Sequence, residues 1–394
     1  MIKWIQHMFD GSKQPARSMV AMQSLGQPVW TPRQYDSLAT EGYQNNVIAF
    51  RCVNLIARNV SMPPCLLYDY EHEIDQHPLV DLITRPNPIQ NRGSFLESLV
   101  SYLLLSGNAY VEAVGREGQV KELHLLRPDR MQIIPGENGV PKAYVYQINN
   151  KKRVIPVDEE TGQSPLLHLK LFHPLNDWYG MSPLEAAAAA IDQHNAVGSH
   201  NLALLQNGGR PSGALMVKAS EGRPGGSLTP SQRATLKDEM HSLYAGAQNA
   251  GKLMILEGDL EWKEMGLGPK DLDFVSGKNL SAREIAQAYG VPSMLVGVPG
   301  EATFANYKEA RFHLWEDTVL PLLHMVMGEM NRWLVPHFSE TLWFTYDADA
   351  IPALSMRRET LWNRIQQATF LTTNEKRHAL GYSPLEGGDL FPIP

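Results

Sequence analysis

Between Asp271 and Leu334 the chain carries two helical patterns separated by a polar, glycine-marked gap, and this stretch restricts the fold more than any other. Ser281-Ala-Arg-Glu284 has the form of a capping box, in which hydroxyl and carboxylate each satisfy an amide left open at a helix start, so the spacing predicts a helix from about Ala282. Ile285, Ala286 and Tyr289 share one face of it. Gly290-Val291-Pro292 ends it, because glycine accepts left-handed dihedrals and proline cannot continue the ladder. Val298 to Asn306 is too polar for a core element and reads as a loop. From Tyr307 to Leu334 apolar residues return at helical spacing, among them Phe312, Trp315, Val319, Leu322, Leu323, Val326, Met330 and Trp333. That is roughly 28 residues, or about 40 Å of helix. Pro321 lies well inside the run, where it removes one hydrogen bond and crowds the preceding turn, so a bend is expected there. A jointed strut with a loop at its end is a mechanical part rather than a catalytic one.

The rest of the chain reads as an α+β protein. With 394 residues, 43% of them apolar, it can bury a sizeable core in two or three domains. Residues 1–42 mix Gly, Pro, Gln and Ser without a sustained period and are expected to form a flexible arm. An amphipathic helix runs from Val47 to Val60 before Pro63-Pro64, and Ser94-x-x-Glu97 signals another, with Phe95, Leu96, Leu99, Val100 and Leu103 inward. Ala109–Val114, Glu122–Leu126, Met131–Ile134, Lys142–Gln147 and Leu166–Leu171 are β-prone runs between turn residues. Ser182-Pro183-Leu-Glu185 opens a helix that should reach about Gln206. Beyond it, Ala214–Val217, a helix from Thr229 to about Tyr244, and strands Lys252–Leu256 and Leu260–Met265 suggest a small inserted module. The end holds a short strand, a helix from about Ser355 to Thr369, and a last one opened by Thr372-x-x-Glu375.

Several chemistries find little support. Cys52 and Cys65 lack zinc-site or disulfide-framework spacing and read as reduced, structural thiols. The net charge of -7 is not the basic footprint of a protein that grips nucleic acid, and no run approaches the roughly 18 uncharged apolar residues that span a bilayer. No secretory signal stands out, so the protein is expected to stay in the cytoplasm during assembly. Gly222-Arg-Pro-Gly-Gly226 lacks the ending of a nucleotide-binding P-loop. His194 and His200, six apart on a helix, face almost opposite ways. The competing reading is a cytoplasmic α+β hydrolase or nucleotide-using enzyme, for which His168, His173 and Asp177 are the available site.

Asp271-x-Asp-Phe274, Ile285-Ala286, Val291-Pro292-x-x-Leu295-x-Gly297, Ala302-Thr-Phe-x-Asn306, Pro321 and Asn331-Arg332 occur in order. Upstream stand Leu104-Leu-Ser-Gly-Asn-Ala-Tyr110, Leu126-x-Pro128, Trp178-Tyr-Gly-Met-Ser-Pro-Leu184 and Asn207-Gly-x-x-Pro211-x-Gly213, and downstream Thr373-Asn374-Glu375 with Leu385-Glu-Gly-Gly388. The ordered set resembles the portal (head-to-tail connector) proteins of long-tailed bacteriophages and gene transfer agents, over about residues 43–390. The resemblance implies a wing at 43–181, a stem helix at 182–208, a clip at 209–268, second stem and wing helices at 269–297, a tunnel loop at 298–306, a long kinked helix at 307–334, and a C-terminal strand with crown helices at 335–394. It further implies a non-enzymatic ring, commonly of twelve copies, at one vertex of a virion or phage-like particle. Double-stranded DNA would pass non-specifically through it, with the terminase large subunit, a head-tail adaptor and the major capsid protein as partners and neither cofactor nor metal. Carried over by position, Val298, Gly300, Glu301, Thr303, Phe304 and Asn306 form the channel loop, with Ala305 in place of the serine common there. Phe312, Trp315, Pro321 and Leu322 belong to the kinked helix and the subunit contact.

Overall fold

A computed structural model describes residues 30–70, 72–116, 119–137, 139–149, 151–206, 213–217, 229–231, 233–235, 238, 260–264, 274–300, 304–380, 382 and 384–390. The chain divides into a larger unit, residues 33–194 with 273–394, and a smaller one, 1–32 with 195–272.

The larger unit opens with helix α1 (Tyr35–Leu38), which widens into a π-helical turn, Ala39–Gln44. Leu38 and Gly42 are buried, and a side chain at Gly42 would strike Leu184. Residues 35–42 therefore belong to the folded body rather than to a flexible arm, whose residues 1–29 lie outside the described ones. Helix α2 (Val47–Ser61) is capped by Asn46, whose Oδ1 accepts from the amides of Ile48 and Ala49, and it buries Ala49, Cys52, Val53, Ile56, Ala57 and Val60. Then come β1 (Cys65–Asp69), β2 (His72–Glu73), α3 (Pro78–Thr84) and α4 (Arg92–Ser106). The cap of α4 is Asn91, its Oδ1 accepting from Ser94 N at 2.9 Å, so the helix starts before the expected Ser94 box. Its predicted apolar face is buried, and it stops at Gly107 with φ 74°.

Strands β3 (Asn108–Arg116), β4 (Gln119–Leu126), β5 (Met131–Ile134), β6 (Ala143–Ile148), β7 (Lys151–Pro156) and β8 (Leu166–Lys170) form two antiparallel sheets, β4-β3-β8 and β5-β6-β7. Strand β7 escapes a pattern search because Lys151-Lys152-Arg153 stands on a solvent-facing edge, where charge is the usual guard against further pairing. Helices α5 (Pro183–Ala186) and α6 (Ala188–Gln206) follow Ser182, whose Oγ accepts from Glu185 N at 3.0 Å.

In the smaller unit β9 (Gly213–Val217) pairs antiparallel with β10 (Leu260–Glu264), Leu260 facing Val217. The expected strand at 252–256 lies outside the described residues. So does much of the helix expected from Thr229, of which residues 230, 231, 233–235 and 238 are helical.

The larger unit resumes with α7 (Phe274–Ala288), longer at its start than the sequence suggested. Ser281 is buried mid-helix and its Oγ donates to Gly277 O at 3.1 Å, so Ser281 and Glu284 are no capping box. After the stop at Gly290 (φ 66°) come α8 (Phe304–His313), a π-helical segment (Leu314–Val319), α9 (Leu320–Leu334), β11 (Leu342–Tyr346), α10 (Ser355–Gln367) and α11 (Thr373–Ala379). Strand β11 pairs antiparallel with β1, Cys65 opposite Tyr346, in the order β11-β1-β2. The expected Thr372–Glu375 capping box is complete.

Two of the motif asparagines act as backbone clamps. Asn331 Nδ2 donates to Phe344 O at 2.6 Å and its Oδ1 accepts from Phe344 N at 2.9 Å, so one amide on α9 stands in for a neighbouring strand beside β11. Asn374 does the same for Leu385, accepting from its N at 2.8 Å and donating to its O at 3.0 Å, while a side chain at Gly388 would collide with that amide.

Candidate channel loop and its supporting helices

The loop after α7 grows from a braced root. Gly290 O accepts from Thr318 Oγ1 at 2.7 Å, and a Cβ at Gly290 would lie 2.5 Å from that oxygen. A 3-10 turn, Ser293–Val296, ends at Gly297 with φ 83°, and Val298 N donates back to Ser293 O at 3.2 Å. Val298 is buried, Pro299 O accepts from Arg283 Nη2 at 2.9 Å, and Gly300 is exposed. Glu301 and Thr303 lie outside the described residues. Phe304 opens α8 and Asn306 sits, exposed, in its first turn, so both are helical rather than part of a loop reaching to 306. Behind the root, Arg283, Gln287, Gly290, Pro292, Ser293, His313 and Asp317 line an open groove of about 350 Å³.

Pro321 shapes the strut through the turn that precedes it. Leu320 N donates to Trp315 O, five residues back, and the π-helical segment ends where α9 begins with proline in its first turn. A proline there lacks an amide for the ladder and crowds the carbonyl one turn earlier, and a widened turn accommodates both effects. Leu314, Trp315 and Val319 of that segment are buried in the main core. Trp315, only 2% exposed, packs within its own chain, on the intrachain side of the division expected among Phe312, Trp315 and Leu322 between core and neighbouring copy. Phe312 and Leu322 are half-buried, and Pro321 is exposed. Along the exposed face of α8, Lys308 and Arg311 alternate with Glu309, and His313 lies 3.6 Å from Glu309 and 3.3 Å from Asp317. The bracing residues Arg283 and Thr318 escaped the sequence reading because hydrogen bonds from a side chain to a distant backbone leave no periodic signal.

The residues of the competing enzyme reading serve other ends. His168 stacks on Tyr110 with ring centroids 4.4 Å apart, meets the edge of Tyr144, and places Nε2 3.0 Å from Asn108 Oδ1. That oxygen also accepts from Gly180 N, so the histidine proton sits on Nε2. Burial, with a smaller push from Lys170, lowers the His168 pKa to about 3. His173 Nδ1 accepts from Leu175 N at 3.0 Å, and Asp177 is exposed. No hydrogen bond or ion pair joins the three, and no cluster of three or more His, Cys, Asp or Glu suited to a metal occurs among the described residues. Cys52 is buried, its thiol pushed up to about 12 by desolvation. Among the described residues no helix is long and apolar enough to cross a membrane.

Comparison with known proteins agrees with this architecture. The family model described as "Phage portal protein" matches residues 48–381. An uncharacterized protein of Rickettsia bellii is 41% identical over 351 residues, 89% of this chain and 90% of its own length. The portal protein of Enterobacteria phage HK97 is 24% identical over 86% of this chain and 80% of its own. A chain in the neck of an empty gene transfer agent particle, computed with C6 symmetry, superposes with a TM-score of 0.72 at 44% identity, over 93% of this chain and 99% of that one. The corresponding chain of the native particle's neck, computed with C12 symmetry, gives 0.69 at 42% identity over 93% and 98%. With the family model spanning most of its length and relatives of this identity over nine-tenths of it, the chain belongs to the phage portal protein family.

Proposed function

We propose that the protein is the subunit of a closed ring, of twelve copies, at one vertex of a virion or phage-like particle, and that double-stranded DNA is packaged and later ejected through its axial hole. The observation that carries this reading is the likeness, above 40% identity over nine-tenths of the chain, to subunits of necks reconstructed with six- and twelvefold symmetry. The braced root of the loop supports it further. With Thr318, Ser293 and Arg283 holding the backbone at Gly290, Val298 and Pro299, every copy would offer the segment that follows from one fixed base. Repeated around an axis, such segments form a collar.

A collar that passes DNA must not hold it. Each phosphate neutralised by Lys or Arg releases a counterion and adds salt-dependent affinity, whereas a chain of net charge -7 with Glu301 in the loop offers little such grip. The chemistry is noncovalent throughout: the ring is no enzyme and needs neither cofactor nor metal. Hydrolysis of ATP belongs to the terminase large subunit, which docks on the ring, as do the head-tail adaptor and the major capsid protein. Assembly takes place in the bacterial cytoplasm without a membrane.

Negative-stain imaging and mass measurement of the purified chain test the reading. Closed rings with an axial hole, and retention of duplex DNA that changes little with salt, are the expected results; a persistent monomer under all assembly conditions refutes it.

A further inference from the structure

The loop between β8 and α5, residues 171–182, is tied down more thoroughly than a connector requires. Leu171 N donates to Gly107 O at 2.8 Å at its start. At its end Gly180 N donates to Asn108 Oδ1 at 2.8 Å, and Asn108 Nδ2 donates back to Gly180 O at 3.3 Å. Gly107 and Gly180 lie backbone against backbone, where a Cβ on either would collide. Between these ends Tyr179 accepts from Ile133 N at 2.9 Å, Asn176 Oδ1 accepts from the amides of Trp178 and Tyr179, and Lys170 Nζ donates to Asp177 O. Yet within this fixed frame Phe172 is 86% and Leu175 92% exposed. Fixing a backbone that holds two large apolar side chains out in water costs chain entropy and gains no burial from them, an arrangement that marks a surface made for a partner.

We infer that Phe172 and Leu175 form a rigid knob that seats in an apolar surface of the next copy of this chain in the ring. The inference rests on the ring reading above and names one of its contacts. Cyclic assembly joins two different faces, so the knob needs no self-complementary twin, only an apolar seat elsewhere on the same body. Such surface exists: Val47, 68% exposed, and Phe50, 48% exposed, stand on α2. The composition also suits an interface centre, because His173, Asn176 and Asp177 supply a polar rim around two apolar anchors on a fixed backbone. The loop's ties mean that docking would freeze side-chain rotamers but little backbone.

Full-length protein carrying both Phe172→Ser and Leu175→Ser is compared with the unmodified chain by mass photometry, negative stain and thermal melting of the subunit. Since both side chains are already in water, the subunit's melting temperature should hold. The concentration for half-assembly should rise on the order of tenfold or more. In a second measurement, p-benzoylphenylalanine at position 172 is irradiated in assembled rings and should link two copies of this chain. Rings formed at unchanged concentration, or photoproducts confined to one chain or to another protein, overturn the knob while leaving the ring intact. Failure of the unmodified chain to form rings removes both.

Discussion

Replacing His168 by glutamine should change how the subunit's stability depends on pH more than the stability itself near neutrality. In the fold the imidazole is desolvated between Tyr110 and Tyr144 and its pKa falls from 6.5 to about 3. Unfolded, it regains its ordinary value. Between those two values the unfolded chain binds a proton that the folded chain does not, so stability is fully present above about pH 6.5 and drains away as pH falls towards 3. At roughly 1.4 kcal/mol per unit, this one group removes about 2 kcal/mol between pH 7 and pH 5, and up to about 4 kcal/mol nearer pH 3. Glutamine keeps a donor for Asn108 Oδ1 but cannot titrate. Urea unfolding of dissociated subunits at both pH values should therefore show the variant losing about 2 kcal/mol less than the natural chain between them. Equal losses would mean that His168 is solvated in solution, and the aromatic cage argument would fail.

Three further outcomes follow from the same geometry. Trp315→Ala should cost the isolated subunit about 3–5 kcal/mol, read as a lower urea midpoint, because a fully buried indole leaves a cavity; an unchanged midpoint with lost rings would return Trp315 to the subunit contact. Gly290→Ala should cost about 2–3 kcal/mol, since it combines a left-handed φ with a collision against Thr318, and hydrogen exchange should rise around Ser293–Val298. Asn331→Ala should cost about 2–4 kcal/mol by orphaning the amide and carbonyl of Phe344, with faster exchange along β11; protection equal to the natural chain's would show the clamp to be dispensable.

Elements that announce themselves locally could be read before any coordinates. The apolar period of α2 and α4, the β-prone runs of the two sheets, and the Ser182 and Thr372 caps all depend on residues within one turn or one strand of each other. Failures came where distant packing decides. Ser281-x-x-Glu284 fits the cap pattern perfectly, yet α7 already has its turns in place and buries the serine. For Phe312, Trp315 and Leu322 periodicity gives a face and not what covers it, and only the packing puts Trp315 in the core of its own chain. Pro321 predicts a bend in the sequence, whereas the π-helical turn that stands just before it is visible only in the backbone. At the root of the loop, the braces Arg283 and Thr318 come from helices on either side and had no sequence signature.

The pairing of β11 with β1 has a consequence for synthesis. A ribosome has to deliver everything from Cys65 to Tyr346 before that sheet can close, so a product terminated ahead of β11 exposes β1 without its mate and leaves Asn331 with no strand to hold. Such long-range closure folds slowly. A copy cut short ahead of β11 would therefore lack a finished body, and in the ring proposed above such a copy would be a poor neighbour.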